Sequence, residues 1–237
     1  PPFQADDGIL DHGTCSGLGD VFKRQGLTLE INGHEMTSRL VGRFNAYNLL
    51  VAFAVGKYLG QDELSLLTIL SSVKAPQGRF EYFLSDHKIT AVIDYAHTPD
   101  ALENVLKTLL DLKKGTEKLI TVFGCGGNRD KGKRPLMGEI ASRLSDQVLI
   151  TSDNPRNEDP DSIINEIYHG VPSVLKEKVF TVTDRMEAIE MACNIASAGD
   201  VILIAGKGHE NYQIIGNESL HFDDMENTIH IFKKLKK

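Results

Sequence analysis

The sequence predicts an α/β fold with a Rossmann-like, doubly wound and mostly parallel sheet. From residue 88 onward, apolar runs rich in Val and Ile alternate with helical patterns. Near-continuous apolar runs are typical of parallel strands buried on both faces, and strand–helix alternation is typical of doubly wound sheets. The predicted strands are ITAVIDYA (89–96), KLITVFGC (118–125), DQVLITSD (146–153), KVFTVTD (178–184) and DVILIAGKG (200–208).

Helix start signals lie between these strands. The first helix, PDALENVLKTLLDLKK, has leucines and a valine spaced as one apolar stripe. Polar N-cap residues followed by proline, or by glutamate three residues later, mark helix starts. These pairs are Thr98 with Pro99, Asp159 with Pro160, and Asp184 with Glu187. The C-terminal segment 223–237 is a further predicted helix, because its final lysines suit the negative end of a helix dipole.

Three segments are predicted along the chain. Residues 88–237 form the α/β domain. Residues 26–87 contain a hairpin with an Asn32–Gly33 turn and two apolar helices, too little for a core of their own. We interpret them as the C-terminal remnant of a larger domain. Residues 1–25 fit neither part, and with the segment DVFKRQ (20–25) we interpret them as a non-native or disordered leader.

Composition excludes several classes of protein. The net charge of −7 argues against a general nucleic-acid-binding surface. No apolar run reaches the roughly 18 residues of a membrane helix, and the first residues lack an export signal. The three cysteines are widely spaced, which favours a reducing compartment. We expect a cytoplasmic monomer that binds small molecules, with neither nucleic acid nor membrane as a partner.

Polar and glycine-rich motifs follow each predicted strand. In open α/β sheets, ligands bind beyond the carboxyl ends of the strands, so these motifs are expected to share one edge. They are DYAHTPD with Asp94 and His97, GCGGNRDKGKRP with Arg129, DNPR with Asp153, Asn154, Pro155 and Arg156, Asp184 with Arg185, and GKGHE with Gly206 and Glu210.

The chemistry of these motifs suits a ligand with both carboxylate and ammonium groups. Arg129 and Arg156 can each bind a carboxylate through two hydrogen bonds, and Asp153 and Glu210 can accept hydrogen bonds from an ammonium group. The glycines of GCGG (124–127) can bring backbone N–H groups close to an anion.

Plainer interpretations stay open at this point. Asp94 or Asp184 can simply cap a helix, His97 can be a loop histidine, and DNPR can be a structural turn. A nicotinamide-dependent oxidoreductase fits poorly, because the third glycine of G-x-G-x-x-G would fall at Arg129. The spacing of Cys and His matches no zinc site.

The motifs together resemble the second half of a Mur ligase. The resemblance rests on GRFNAYN, GRFE, VIDYAHTPDAL, TVFGCGGNRDKGKRP, TSDNPR and LIAGKGHENYQ, in that order, and covers about residues 38–237. It implies that residues 26–87 belong to a central P-loop-type ATP-binding domain and residues 88–237 to an amino-acid-binding domain. DNPR resembles the version that adds meso-2,6-diaminopimelate to a UDP-sugar dipeptide in peptidoglycan synthesis.

The resemblance also implies a reaction and its residues. The family uses ATP and Mg²⁺ to convert a carboxylate into an acyl phosphate, which the incoming amine attacks. The implied nucleotide-side residues are Asn45, Asn48, Arg79, Asp94 and His97. The implied diaminopimelate-binding residues are Arg129, Asp153, Asn154, Pro155, Arg156, Gly206 and Glu210. No catalytic residue and no metal ligand is assigned within this chain.

One departure from the family pattern limits the expected activity. The sequence contains no G-x-x-G-K-[ST] phosphate loop, so we expect that this chain alone does not complete the reaction. Two alternatives stay open: a lysine-adding ligase of the same family, and an amino-acid-binding module without catalysis.

Overall fold

The computed structural model describes residues 26–113 and 115–237. The predicted leader, residues 1–25, lies outside the described residues. The chain divides into two compact units at the peptide between Ala75 and Pro76. Each unit has a sheet of its own.

The first unit combines a hairpin with two helices. Strands β1 (Leu27–Ile31) and β2 (His34–Ser38) pair antiparallel around Asn32 and Gly33, whose φ angles of 53° and 80° are those of a tight hairpin turn. Helices α1 (Arg43–Tyr58) and α2 (Glu63–Ser71) follow. These elements confirm the prediction from the sequence. Their shared core is small, consisting of Ile31, Met36, Leu40, Leu49, Phe53, Leu67 and Leu70.

A six-stranded sheet forms the centre of the second unit. Its strands are β3 (Glu81–Leu84), β4 (Thr90–Asp94), β5 (Leu119–Phe123), β6 (Gln147–Ile150), β7 (Val179–Thr181) and β8 (Val201–Ala205). The order across the sheet is β3-β4-β8-β5-β6-β7. Only β3 is antiparallel to its neighbour. The five predicted parallel strands and the α/β fold class are therefore confirmed.

Helices cover both faces of this sheet. They are α3 (Pro99–Leu112), α4 (Lys133–Leu144), α5 (Pro160–His169), α6 (Arg185–Ile195) and α7 (Asp224–Leu235). The side chains of Thr98, Asp159 and Asp184 accept backbone N–H bonds as predicted for caps. Helices α6 and α7 pack on one face of the sheet. Every residue of β4, β5 and β8 is buried, which explains their continuous apolar sequence.

The predicted boundary after residue 87 is wrong. Residues 76–87 belong to the second unit, because β3 pairs with β4 along its length. The backbone N–H of Phe80 donates to Asp94 Oδ2 at 2.8 Å, and the ring of Phe83 stacks on Phe232 of α7 at 6.1 Å. A four-residue strand before a predicted sheet is easily assigned to the wrong side of a boundary.

A short hairpin near the C-terminus was not predicted. Strands β9 (Tyr212–Ile215) and β10 (Glu218–His221) pair antiparallel and turn at Gly216, whose φ is 58°. Within the described residues, no helix is both long and apolar enough to cross a membrane.

The corrected boundary predicts where the second unit can be cut. A fragment of residues 76–237 should have a clearly higher free energy of unfolding, measured in urea, than a fragment of residues 88–237. The shorter fragment lacks β3 and the buried Phe80, and burial of one large apolar side chain alone contributes about 1.5–3 kcal/mol. Equal free energies of unfolding for the two fragments would contradict the assignment of β3 to this unit.

Candidate functional site

The strands that carry the polar motifs are neighbours in the sheet. β4, β8, β5 and β6 lie side by side and parallel, so their carboxyl ends form one edge. Contacts between the motifs confirm the expected convergence. Asn154 Nδ2 donates to Glu210 Oε2 at 2.8 Å, and Tyr95 Oη lies 3.5 Å from Glu210 Oε1. The site is thus built from loops that follow four different strands.

The DNPR segment is held by its backbone from two sides. On one side, the N–H of Gly127 donates to the carbonyl of Asn154 at 2.8 Å. On the other, Arg156 N–H donates to Ile214 O at 3.0 Å and Gly216 N–H donates to Arg156 O at 2.7 Å. Arg156 has a positive φ of 51°, a conformation that costs energy for a residue with a Cβ. Its neighbours in β9 keep it in that conformation.

Asp153 and Asn154 of this segment form a polar cluster with the buried Lys207 and the partly buried Glu210. Asp153, Asn154 and Lys207 are 6%, 3% and 0% exposed. Lys207 Nζ donates to Asn154 Oδ1 at 3.2 Å and lies 3.8 Å from both Asp153 Oδ1 and Glu210 Oε2. Asn154 Oδ1 also accepts from the N–H of Ile214 at 2.9 Å. A buried lysine placed between two acids balances part of their charge.

Burial controls the ionisation of this cluster. Desolvation raises the pKa of Asp153, while the nearby Arg185 and Lys207 oppose that rise. Desolvation likewise lowers the pKa of Lys207, whereas the nearby charge of Asp153 raises it. The ionised form of each group is therefore stabilised by an oppositely charged side chain rather than by water.

Gly206 makes room for Asp153. A Cβ at Gly206 would lie 2.9 Å from Asp153 Oδ2, and the φ of 115° suits glycine alone. Its N–H donates to the carbonyl of Asp94 at 3.0 Å. Gly206 therefore contributes space and backbone geometry to the site.

The two predicted carboxylate-binding arginines flank Gly126. A Cβ at Gly126 would lie 3.0 Å from Arg156 Nη1 and 3.5 Å from Arg129 Cγ. Arg156 Nη1 donates to the carbonyls of Gly127 at 3.0 Å and Asn154 at 3.4 Å. Among residues 26–113 and 115–237, neither guanidinium forms an ion pair with a carboxylate. Both positive charges are therefore available to an acidic ligand.

The proposed anion cradle of the GCGG segment is only partly correct. The N–H of Gly127 is already bonded to Asn154 O. A Cβ at Gly124 would collide with the carbonyl of Thr151, and one at Gly127 with the carbonyl of Pro155. These two glycines serve the close approach of the loop to residues 151–155. Pro155 is buried and packs against Gly127.

Three of the five predicted nucleotide-side residues surround Tyr95. Arg79 Cζ lies 4.5 Å from the centroid of the Tyr95 ring, and the His97 ring lies 4.6 Å away. Asp94 accepts the N–H groups of Phe80 and Ala96 at 2.8 Å, and desolvation raises its pKa. Asp94 therefore has a local role at the β3–β4 junction, while Arg79 and His97 are exposed.

The other two, Asn45 and Asn48, lie on α1 of the first unit. Asn45 Nδ2 donates to Val41 O at 2.8 Å, and Asn48 Nδ2 donates to Asn45 Oδ1 at 3.2 Å. Asn48 is exposed and Asn45 is partly buried.

Two buried arginines of the site were missed or misread at the sequence level. Arg185, counted with the Asp184 cap, is 1% exposed and forms two bonds to Asp224 at 2.8 and 2.7 Å. Arg134 is fully buried and forms bonds to Glu158 and Glu166. A charged residue in the first turn of an otherwise apolar helix face was the available signal for both.

The described residues offer little to a metal ion. Across residues 26–113 and 115–237, no group of three or more His, Cys, Asp or Glu side chains could hold one. Cys125 and Cys193 are buried free thiols whose pKa values are raised to about 12 by desolvation, so neither is a thiolate ligand.

The fold and the site define an α/β unit with charged side chains gathered at the carboxyl edge of its sheet. Residues 78–208 match the family described as Mur ligase, glutamate ligase domain. The match spans more than half of the 237 residues. The chain belongs to the Mur ligase family.

Several similar proteins carry one name, UDP-N-acetylmuramoyl-L-alanyl-D-glutamate–2,6-diaminopimelate ligase. The protein of that name from Cytophaga hutchinsonii is 54% identical over 200 residues, which cover 84% of this chain and 41% of that protein. The one from Parabacteroides distasonis is 51% identical over 208 residues, covering 88% and 43%. The chain thus spans about two fifths of the length of these relatives.

Solved structures agree with the fold. A structure of a ligase with the same name has a TM-score of 0.65 and 38% identity, covering 89% of this chain and 43% of that one. A folylpolyglutamate synthase from Mycobacterium tuberculosis, complexed with ADP, has a TM-score of 0.61 at 22% identity, covering 76% and 42%. The second likeness is one of fold alone.

The buried pair of Arg185 and Asp224 predicts a large effect on stability. Asp224→Asn should lower the free energy of unfolding by about 3–5 kcal/mol, because it leaves a buried guanidinium uncompensated. Glu190→Gln is the matched control on the same two helices. Its pair with Lys234 is exposed, and such pairs contribute about 0–1 kcal/mol. Urea unfolding measures both, and equal losses would refute the assignment.

Glu158 predicts a specific pH dependence of stability. The side chain of Arg134, followed by the N–H of Asn128, lowers its pKa from the ordinary 4.5 to about 2. Between these values the unfolded chain binds a proton that the folded chain does not. The contribution of Glu158 is therefore present above pH 4.5 and lost as the pH falls through about 2. The free energy of unfolding of Glu158→Gln should depend less steeply on pH in this window than that of wild type. Equal slopes of unfolding free energy against pH for the two proteins would show that the pKa of Glu158 is not lowered in the folded chain.

Proposed function

We propose that this chain is the amino-acid-binding part of an ATP-dependent ligase that adds meso-2,6-diaminopimelate to UDP-MurNAc-L-Ala-D-Glu. The reaction belongs to peptidoglycan synthesis, and so to cell wall biogenesis, cell shape and cell division. The observation that carries the proposal is that Arg129 and Arg156 both lie beside Gly126, neither with an acidic partner in the described residues. The buried Asp153 and the partly buried Glu210 lie in the same site.

The pocket matches the two ends of diaminopimelate by charge. The guanidinium groups of Arg129 and Arg156 bind the distal carboxylate. Glu210, and Asp153 below it, attract an ammonium group. Asn154 aligns Glu210 through the bond at 2.8 Å, while Pro155 and Gly206 shape the backbone around them. This arrangement leaves the second amino group of the ligand free to react.

The chemistry of the whole reaction needs more than this pocket. ATP supplies the phosphoryl group that turns the dipeptide carboxylate into an acyl phosphate, and Mg²⁺ offsets the phosphate charge. The amine then attacks the acyl carbon, an amide bond forms, and phosphate leaves. The described residues bind and orient the amine. The sequence holds no phosphate loop, so we expect no complete turnover from the chain by itself.

The proposed nucleotide-side residues are found in both units. Arg79 and His97 offer an exposed cation and an imidazole to ATP. The bond from His97 Nδ1 to Tyr95 O at 2.8 Å leaves Nε2 as the ring nitrogen available to a ligand. Asp94 keeps this segment in place. Asn45 and Asn48 belong to the first unit, which we assign to the central ATP-binding domain. The substrates are small molecules, and the reaction takes place in the cytoplasm, where ATP is available.

A lysine-adding ligase is the alternative within the family. Lysine lacks the distal carboxylate, so it would leave Arg156 unpaired in a partly buried position. Sites that form hydrogen bonds with a ligand group reject analogues that lack it. The two unpaired arginines therefore favour diaminopimelate.

Calorimetric titration of the whole chain tests the pocket. Wild type should bind meso-diaminopimelate and bind lysine much more weakly. Arg156→Ala should weaken binding of diaminopimelate roughly 10- to 100-fold, because charged hydrogen bonds contribute about 1.5–3 kcal/mol. Alanine has a Cβ, as arginine does, so the positive φ at this position is equally strained in both proteins.

Arg143→Ala is the matched control. Its side chain is exposed on α4 and pairs with Glu139, so its loss should leave the affinity unchanged. A folded wild-type chain that ignores both amino acids at millimolar concentration would argue for DNPR as a structural turn. Equal binding of both amino acids would instead favour a non-selective amino-acid-binding module.

A further inference from the structure

Glu158 lies at the centre of a hydrogen-bond cluster outside the residues assigned to the ligand. Its carboxylate accepts from Arg134 Nη1 at 2.9 Å and Nη2 at 3.1 Å, and from the backbone N–H of Asn128 at 2.5 Å. Lys131 Nζ lies 3.2 Å away. Arg134 beneath it is fully buried, so this carboxylate has a rigid support.

The peptide unit between Gly127 and Asn128 connects Glu158 to Arg156. Its N–H end donates to Glu158 Oε1, and its C=O end accepts from Arg156 Nη1 at 3.0 Å. A peptide unit is planar, so holding one end determines the direction of the other. The carbonyl that supports the Arg156 guanidinium is thus oriented by Glu158.

Neighbouring contacts constrain the backbone of the loop that carries Arg129. Asn128, its neighbour in the chain, has a positive φ of 55° and accepts the N–H of Asn157 on Oδ1 at 3.3 Å. Arg134 Nη2 also donates to the carbonyl of Gly126 at 3.2 Å. The loop that carries Arg129 is therefore tied to Arg134 on one side of the Gly127–Asn128 peptide and to Asn157, which follows Arg156, on the other.

We propose that Glu158, supported by Arg134, is a positioning residue that sets the spacing of the Arg129 and Arg156 guanidinium groups. The inference rests on the proposed function, because that function assigns the two arginines to a ligand carboxylate. Two guanidinium groups grip one carboxylate well only when they are held within about 0.5 Å of the productive geometry. Glu158 itself need not touch the ligand.

The test compares Glu158→Gln with Glu166→Gln in the whole chain. Glu166 also pairs with Arg134 Nη1, at 2.7 Å, but it lies on α5 and contacts neither loop backbone. Both variants weaken the ion pairs of the same buried arginine. We expect affinity for meso-diaminopimelate to fall about tenfold or more in Glu158→Gln and to change less than about threefold in Glu166→Gln. Equal losses in the two variants would overturn the proposal.

A double-variant cycle separates positioning from a general loss of structure. If Glu158 acts through Arg156, the Glu158→Gln change should cost little further affinity once Arg156 is alanine. Fully additive losses would show that Glu158 acts independently of Arg156, and would overturn the proposal.

NMR signals of the arginine Nε–H groups test the inference without ligand. Glu158→Gln should shift the signals of Arg129 and Arg156, while Glu166→Gln should leave both near their wild-type positions. Unshifted signals in Glu158→Gln would overturn the positioning role. If wild type does not bind diaminopimelate, the proposed function of the pocket fails, and the NMR comparison still decides whether Glu158 positions the two arginines.

Discussion

The buried guanidinium of Arg185 holds the carboxyl ends of β6 and β8 at one separation. Its Nη1 donates to the carbonyl of Ser152 at 3.3 Å and its Nη2 to the carbonyl of Ala205 at 3.1 Å, while Asp224 neutralises it from α7. Asp153 and Gly206 come one residue later in the chain. A shift of either strand would leave buried donors without acceptors, which is costly. The geometry of the site therefore depends on this contact.

Three sets of charged groups lie around that contact. Arg185 and Asp224 form a balanced, buried pair. Lys207 lies between two acids. Arg156 is supported by backbone carbonyls rather than by carboxylates. A carbonyl orients a guanidinium without cancelling its charge, so Arg156 keeps its attraction for an acidic group. The Arg156 guanidinium is thus held in place and still available to an acidic ligand.

The sequence predicted the local features well and the long-range pairings poorly. Parallel strands, helix caps and the DNPR segment each depend on a pattern within a few residues. The pairs of Arg134 with Glu158 and of Arg185 with Asp224 join residues 24 and 39 positions apart, and no local pattern reports such partners. The packing role of Gly124 and Gly127 was not predicted for another reason: the sequence does not distinguish a glycine needed for close packing from a glycine needed for an anion. Strand β3 was missed because its four residues match the segment before it as well as the sheet.

The two outer arginines are not equivalent as determinants of specificity. Arg129 is exposed, so water solvates its charge whether or not a ligand is present, and a pair formed there is weakened by screening. Arg156 is partly buried and its backbone is held by β9, so it has less water to replace a missing carboxylate. A ligand without a distal carboxylate would leave Arg156, more than Arg129, with an unmet charge. Under the proposed function, discrimination between amino acids would therefore depend chiefly on Arg156 and on the Gly127–Asn128 peptide that orients it.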